Sequence, residues 1–342
     1  MKALTANRDA ELEITQGPDP TVGPDQVLVR TLVSAVSVGT ELRMLYRNDG
    51  STPGHPGWPA VGAFGYLASG VVEEVGPEVS GILPGQHVAC GTPWGAHRDL
   101  LVTAPSAITP LPDGIDALVG ACSYWAVPPL CGILAASPSL DETVAVIGLG
   151  PLGLTAVQWL HGRCARVIAV DPIERRREVA TSYGAACIDP RGGDVVTQLE
   201  RRFDARPQVV LQVAGSQGAL ELALQMVAPL GRIVNIGTLP RLRGFDLFWP
   251  LQESGASLLP IHRPGTSDPQ AGGVDGPRRL LPEVFDAVLK GRMDIRGLCT
   301  HVFDAVQAPD VFPALRDQPE RFLGVAFDWR PTADGVASGR RR

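Results

Sequence analysis

Residues 143–153 read Thr-Val-Ala-Val-Ile-Gly-Leu-Gly-Pro-Leu-Gly. An apolar run of strand type is closed by Gly148, Gly150 and Gly153, and a helical pattern, "LGLTAVQWLHGR", follows directly. This G-x-G-x-x-G junction narrows the fold more than any other stretch of the chain. Gly148 permits the tight turn. Gly150 removes a Cβ where a pyrophosphate must approach the backbone, and Gly153 lets the helix pack close to the strand. Pro151 fits the first helical turn, where its missing donor costs nothing, and Leu152 stands beside it in the cradle. The helix N-terminus then offers free N–H groups to an anion.

The surrounding pattern supports a dinucleotide site. A second apolar run, "ARVIAVD", ends at Asp171, close to the spacing of about 20 residues expected for the acid that binds the adenosine ribose. Such an acid repels a 2′-phosphate, which favours NAD. Arg175, Arg176 and Arg177 keep NADP open, with Arg176 the candidate cofactor contact. Further strands, "QVVLQVAG" and "GRIVNIG", flank a helix, "GALELALQMVAPLG". Gly215 is expected at the adenosine side, and Gly237 and Thr238 below the nicotinamide. This βαβ alternation means a parallel sheet covered by helices.

The first 120 or so residues read differently. Short runs such as "QVLVRTLVSAVSV", "SGVVEEVG" and "HVAC" are separated by Gly- and Pro-rich turns, the pattern of a barrel-like antiparallel fold. The expected fold class is therefore α/β: a GroES-like β-barrel catalytic domain plus a Rossmann doubly wound parallel sheet. The boundaries read from the sequence are 1–124 for the catalytic domain and 125–275 for the dinucleotide-binding domain. Residues 276–330 form a return segment that completes the catalytic domain, and 331–342 a disordered tail.

The chain as a whole has 342 residues, 44% hydrophobic and 19% charged, enough for two buried cores. Its net charge of −6, without a long basic block, argues against a nucleic-acid partner. No signal-type run opens it and no long uninterrupted apolar run suits a membrane, so a cytoplasmic protein is expected. The six cysteines form no C-x-x-C pair and read as small buried apolar residues. The histidines at 55, 87, 97, 161, 262 and 301 show no ligand spacing; His97 and His262 lie within reach of the cleft but read as solvated or structural.

Together, "SVGTEL", "GYLASGVVEEVG", "PGQHVAC", "ITPLPDGI", "VAVIGLGPLG", "LGRIVNIG" and the terminal "GVAFDW" resemble the medium-chain dehydrogenase/reductase superfamily over nearly the full chain. The "GTE" turn and the Gly65-Tyr66 pair are most similar to its bacteriochlorophyllide dehydrogenase branch. Many relatives hold a catalytic zinc through Cys-Gly-Thr-Asp and Gly-His-Glu motifs. Here Val38-Gly39-Thr40-Glu41 and Gly65-Tyr66-Leu67 stand there, and alignment sets Ala121, with Cys122 next to it, at the third ligand position. The resemblance thus implies a member without zinc.

It also implies site roles. Thr40 occupies the position of the hydroxyl that passes on the alcohol proton. Arg43 replaces the histidine that often continues that relay. Glu41, whose counterpart supports a metal-binding histidine, is expected to orient or tune Tyr66. Thr40, Tyr66 and Glu41 are therefore the catalytic candidates. Tyr46, Trp94, Tyr124 and Trp125, with Phe248 and Trp249, are the candidate substrate pocket. Residues 239–277 read as a lid or an oligomer contact.

The expected activity is a zinc-independent, NAD(H)-dependent interconversion of a secondary alcohol and a ketone on a small-molecule substrate, by a homodimer. Two alternatives stay open: an NAD(P)H-dependent enone, enoyl or imine reductase, and a dinucleotide-binding protein without turnover.

Overall fold

The computed structural model describes residues 1–7, 9–46, 62–239, 242–244, 246–261 and 276–330. His55 and His262, part of the expected lid and the expected tail lie outside them.

The parallel sheet forms where the βαβ pattern placed it. Its strands are Thr143–Ile147, Arg166–Val170, Ala186–Ile188, Val209–Gln212, Arg232–Asn235 and Ser257–Pro260, all paired in parallel. Thr143–Ile147 lies inside the sheet, with Arg166–Val170 on one side and Val209–Gln212 on the other. Chain progression reverses there, so a crevice opens beyond the carboxyl ends of these strands. Val144, Val146, Val209 and Leu211 face one core, and Ala145, Ile147, Val210 and Ile233 the other. Burial on both faces explains why these strands are continuously apolar rather than alternating.

A seven-stranded sheet carries the other half. Val27–Ala35 pairs antiparallel with Leu67–Val75, Leu100–Thr103 and Gly324–Asp328. The terminal strand "GVAFDW" thus returns to the N-terminal sheet, with Ala326 opposite Ala35. Cys299–Asp304 lies beside it in parallel.

The run Ala117–Ala136 joins the two halves. By length and composition alone it could cross a membrane, but 72% of it is buried inside the protein, where it serves as a core helix. Within it Trp125 is 1% exposed.

One local expectation changes. "SVGTE" is not a loop: the helix Val38–Tyr46 starts there. The Ser37 carbonyl accepts from the Thr40 and Glu41 amides, and the Glu41 carboxylate reaches back to the Ser37 N–H at 2.9 Å. This reciprocal closure nucleates a helical turn directly after a strand.

Candidate active site

A cleft of about 620 Å³ lies between the two halves. The glycine-rich turn forms one wall. Gly148, Gly150, Pro151, Leu152, Asp171, Arg176, Gly215, Gly237 and Thr238, the nine candidate cofactor contacts that border it, come from five different segments. Gly153 stands behind them. A Cβ on Gly153 would lie 1.8 Å from the Gly148 carbonyl oxygen, so helix and strand touch only because it is glycine. A Cβ on Gly150 would meet no protein atom, which leaves open space on the cleft side of the cradle. The helix Pro151–Leu160 points its N-terminus there without a side-chain cap. These features fit the pyrophosphate of a dinucleotide.

Asp171 is 3% exposed and holds the turn together. Its carboxylate accepts from the Leu149 N–H at 2.7 Å and from the Ile173 N–H at 2.8 Å. A carboxylate has about four acceptor sites, so two bonds leave capacity for ribose hydroxyls. Arg176 lies 3.8 Å from Asp171 and donates to the Pro319 and Phe322 carbonyls at 3.1 and 3.4 Å. Burial lowers its pKa from the ordinary arginine value, against the opposing pull of Asp171. Arg175 donates to Arg321, and Arg177 to the Asp171 and Pro172 carbonyls. Much of the triple-arginine donor capacity therefore goes to main-chain oxygens.

At the other end of the cleft stand Ser37, Val38, Thr40, Arg43 and Trp125. Arg43 is 3% exposed and donates to the Thr238 carbonyl at 2.6 Å, tying the helix Val38–Tyr46 to the parallel-sheet half. The Tyr66 phenol donates to Ser37 Oγ, and the Trp94 ring packs edge-on against Tyr66 with centroids 5.6 Å apart.

Glu41 does not orient Tyr66. Its carboxylate is fully buried and points away from the cleft, where one oxygen meets His97 Nε2 at 3.0 Å. His97 Nδ1 lies 2.7 Å from Ser34 Oγ, which also accepts from Trp329 Nε1 at 2.7 Å. The indole can only donate, so the Ser34 hydroxyl is free to donate to His97 Nδ1. His97 Nε2–H then donates to the Glu41 carboxylate, and every group in the series has a partner. Phe64, Phe312 and Phe327 surround the ring. Gly65, with φ of +76°, makes room for it: a Cβ there would lie 2.3 Å from the imidazole.

Three further expectations need correction. Tyr46 sits away from the cleft, beneath the Arg316 guanidinium at 4.5 Å, in a separate depression with Glu11 and Pro313. Phe248 and Trp249 are 48% and 66% exposed on an outer helical turn, Phe248–Glu253, rather than in a pocket. Tyr124 is buried against Gly91, behind the wall rather than on it. Ser37 and the Ser34–His97–Trp329 cluster were not singled out as site residues by sequence. The spacing Ser34, Ser37, Glu41 was the available signal, three polar residues where an apolar strand passes into a helix.

Among the described residues, the donor set around Tyr66 does not fit a zinc ion. Val38 has no ligating atom, and the Tyr66 phenol is engaged with Ser37. Cys122 is fully buried behind the cleft wall, where burial and the neighbouring Cys299 thiol push its pKa well above the usual value. Among the described residues no three His, Cys, Asp or Glu side chains converge as a metal site.

Comparison with known proteins agrees with this architecture. Residues 151–264 match the zinc-binding dehydrogenase family model. The chain is 27% identical to an alcohol dehydrogenase of Cupriavidus necator, over 93% of this chain and 96% of that one. It is 31% identical to the L-threonine 3-dehydrogenase of Pyrococcus furiosus, over 67% of this chain and 73% of that one. Among solved structures, galactitol-1-phosphate dehydrogenase from Escherichia coli superposes with a TM-score of 0.81 at 18% identity, covering 96% of this chain and 100% of that one. On these grounds the chain belongs to the medium-chain dehydrogenase/reductase superfamily, the superfamily of the zinc-binding alcohol dehydrogenases, and is an NAD(P)-dependent dehydrogenase of that type.

Proposed function

We propose that the protein interconverts a secondary alcohol and a ketone with NAD(H), without a catalytic metal ion. The observation that carries this reading is the residue set at the usual metal position. By the resemblance Val38, Tyr66 and Ala121 align there, and the hydroxyl-bearing residues Ser37 and Thr40 border the cleft. The likeness of the "GTE" and Gly65-Tyr66 motifs to the bacteriochlorophyllide dehydrogenase branch supports this reading, and a homodimer belongs to the same proposal.

The dinucleotide, when bound, supplies a hydride donor or acceptor at its nicotinamide ring. Gly148, Gly150 and the first turn of Pro151–Leu160 would hold the pyrophosphate, and Asp171 the adenosine ribose. Trp125, Thr238 and Arg43 bound the nicotinamide end and limit water there. Thr40 steadies the charge that develops on the substrate oxygen by hydrogen bonding, and Tyr66 supports it through its bond to Ser37 Oγ. A free tyrosine has a pKa of about 10, so donation to a nascent alkoxide is the easier direction at neutral pH. Glu41 acts at one remove: it fixes the Ser37 amide and thereby the turn that carries Thr40.

The test combines metal analysis with turnover. Freshly purified enzyme assayed with NADH and a panel of ketones and enones should retain full rate after chelation and contain no stoichiometric metal. Activity that disappears together with a bound metal ion would overturn the reading. Thr40→Val and Tyr66→Phe should each slow hydride transfer on the order of 10²-fold while NADH affinity stays within about twofold.

Cofactor choice gives a separate prediction. The wild-type ratio of kcat/KM should favour NADH over NADPH, because the Asp171 carboxylate faces the position of a 2′-phosphate. Asp171→Ala should narrow that ratio by about tenfold or more, as removal of one charged contact is worth about 1.5–3 kcal/mol. An unchanged ratio would mean that Asp171 acts only through the Leu149 and Ile173 amides.

A further inference from the structure

We infer that Ser37, and not Tyr66 itself, is the group that hands the proton to the substrate oxygen, with Tyr66 acting through it. This rests on the dehydrogenase reading above and names an added catalytic residue within it.

Three observations converge on Ser37. First, it lines the cleft together with Val36 and Thr40, and Tyr66 is not among the described residues that border it. Second, the Tyr66 phenol donates to Ser37 Oγ. A phenol is a far stronger acid than an alkyl alcohol, so this is the favoured direction between the two. It makes Ser37 Oγ an acceptor and directs the serine's own hydrogen elsewhere. Among the described residues no protein acceptor takes that hydrogen, and the cleft is the open side. Third, the serine is unusually well fixed. Its amide is held by the buried Glu41 carboxylate at 2.9 Å, and its carbonyl accepts from the Thr40 and Glu41 amides. Glu41 is in turn fixed by His97, and His97 by Ser34 and Trp329.

The result is a two-hydroxyl donor aimed at the nicotinamide end. Hydrogen bonds in series polarise one another, so the Tyr66 phenol strengthens the Ser37 O–H as a donor. Thr40, one helical turn on and also at the cleft wall, supplies a second hydroxyl. A developing alkoxide can accept from both, in the manner of an oxyanion hole. In the reductive direction a bound reduced nicotinamide would supply hydride to the carbonyl carbon, and the C–O π pair would move onto oxygen. That oxygen forms a bond to the Ser37 hydroxyl proton as the Ser37 O–H bond breaks. Ser37 Oγ takes the phenolic proton of Tyr66, and a proton from water restores the phenol. The sum is ketone, reduced dinucleotide and one proton giving alcohol and oxidised dinucleotide.

The experiment begins with the wild-type protein, NADH and a panel of ketones, the fastest of which becomes the reporter. Ser37→Ala should lower kcat with that ketone by about 10²-fold or more, with the NADH dissociation constant within about twofold and the melting temperature within a few degrees. Should the alanine variant fail to fold, Ser37→Cys, nearly isosteric and a weak donor, carries the same expectation. Because Tyr66 acts through Ser37, the double variant S37A/Y66F should be no slower than S37A alone by more than about threefold. A kcat for S37A within about threefold of wild type, or losses from S37A and Y66F that multiply, would overturn the assignment and leave the dehydrogenase reading standing. Wild-type protein that oxidises NADH with no member of the panel would instead remove the dehydrogenase reading, and the role of Ser37 with it.

Discussion

Replacing Gly153 with alanine is expected to abolish measurable dinucleotide binding, with a loss of at least about 100-fold in affinity, and to destabilise the protein as well. The new Cβ would sit 1.8 Å from the Gly148 carbonyl oxygen. Neither partner can give way cheaply, because both atoms belong to the backbone of the turn. The helix Pro151–Leu160 must move off the strand Thr143–Ile147, and its N-terminal amides leave the phosphate position. Overpacking of this kind costs about 1–3 kcal/mol and occasionally more. Gly150→Ala separates the two effects. Its Cβ meets no protein atom, so the melting temperature should stay near that of wild type. The same methyl group projects into the cradle, so NADH affinity should still fall. Fluorescence titration with NADH and thermal melting of both variants check this, and a G153A protein that binds NADH normally would refute the close-contact account.

The second large effect is at Glu41. Glu41→Ala removes the acceptor from two buried donors at once, His97 Nε2–H and the Ser37 amide. Stranding buried donors costs about 1–3 kcal/mol each. A total loss of about 3–5 kcal/mol is expected, read as a lower denaturation midpoint. Faster hydrogen exchange at the Ser37 amide should accompany it, since that amide loses its only side-chain acceptor. Glu41→Gln keeps a carbonyl oxygen for one of the two donors and should lose clearly less. An alanine variant as stable as wild type would mean that the His97 cluster does not hold the helix Val38–Tyr46 in place.

How far these effects were readable in advance depends on the range of the interactions. The parallel sheet was legible because its signals are local: apolar strands, a glycine turn and helical periodicity recur within a few residues of one another. "TVAVIG" and "ARVIAVD" became Thr143–Ile147 and Arg166–Val170, and "GVAFDW" supplied the strand Gly324–Asp328. The start of a helix at Val38 was missed because its closing contact is a side chain reaching back to a main-chain N–H. Sequence spacing alone made "SVGTE" look like a turn.

The polar arrangement behind the cleft was hidden for a different reason. Tyr66 meets Ser37 across 29 residues, His97 meets Glu41 across 56, and Trp329 meets Ser34 across 295. Side-chain periodicity carries no information at such separations. Glu41 followed the same logic: beside Thr40 and near Tyr66 in motif space, it turned inward because a glycine at 65 opened room for the His97 ring.

The amino-acid order by itself determined the glycine cradle and the acid at the end of the second strand. Those are properties of residue type and short spacing, which the chain carries whether folded or not. Only the tertiary structure decided which hydroxyl faces the cleft and which carboxylate is buried. Those outcomes depend on the pairing of Val27–Ala35 with Leu67–Val75 and Gly324–Asp328, which brings Ser34, Tyr66 and Trp329 to one place. Pairing between distant strands is fixed by the collapse of the whole sheet around its core, not by any neighbour in sequence.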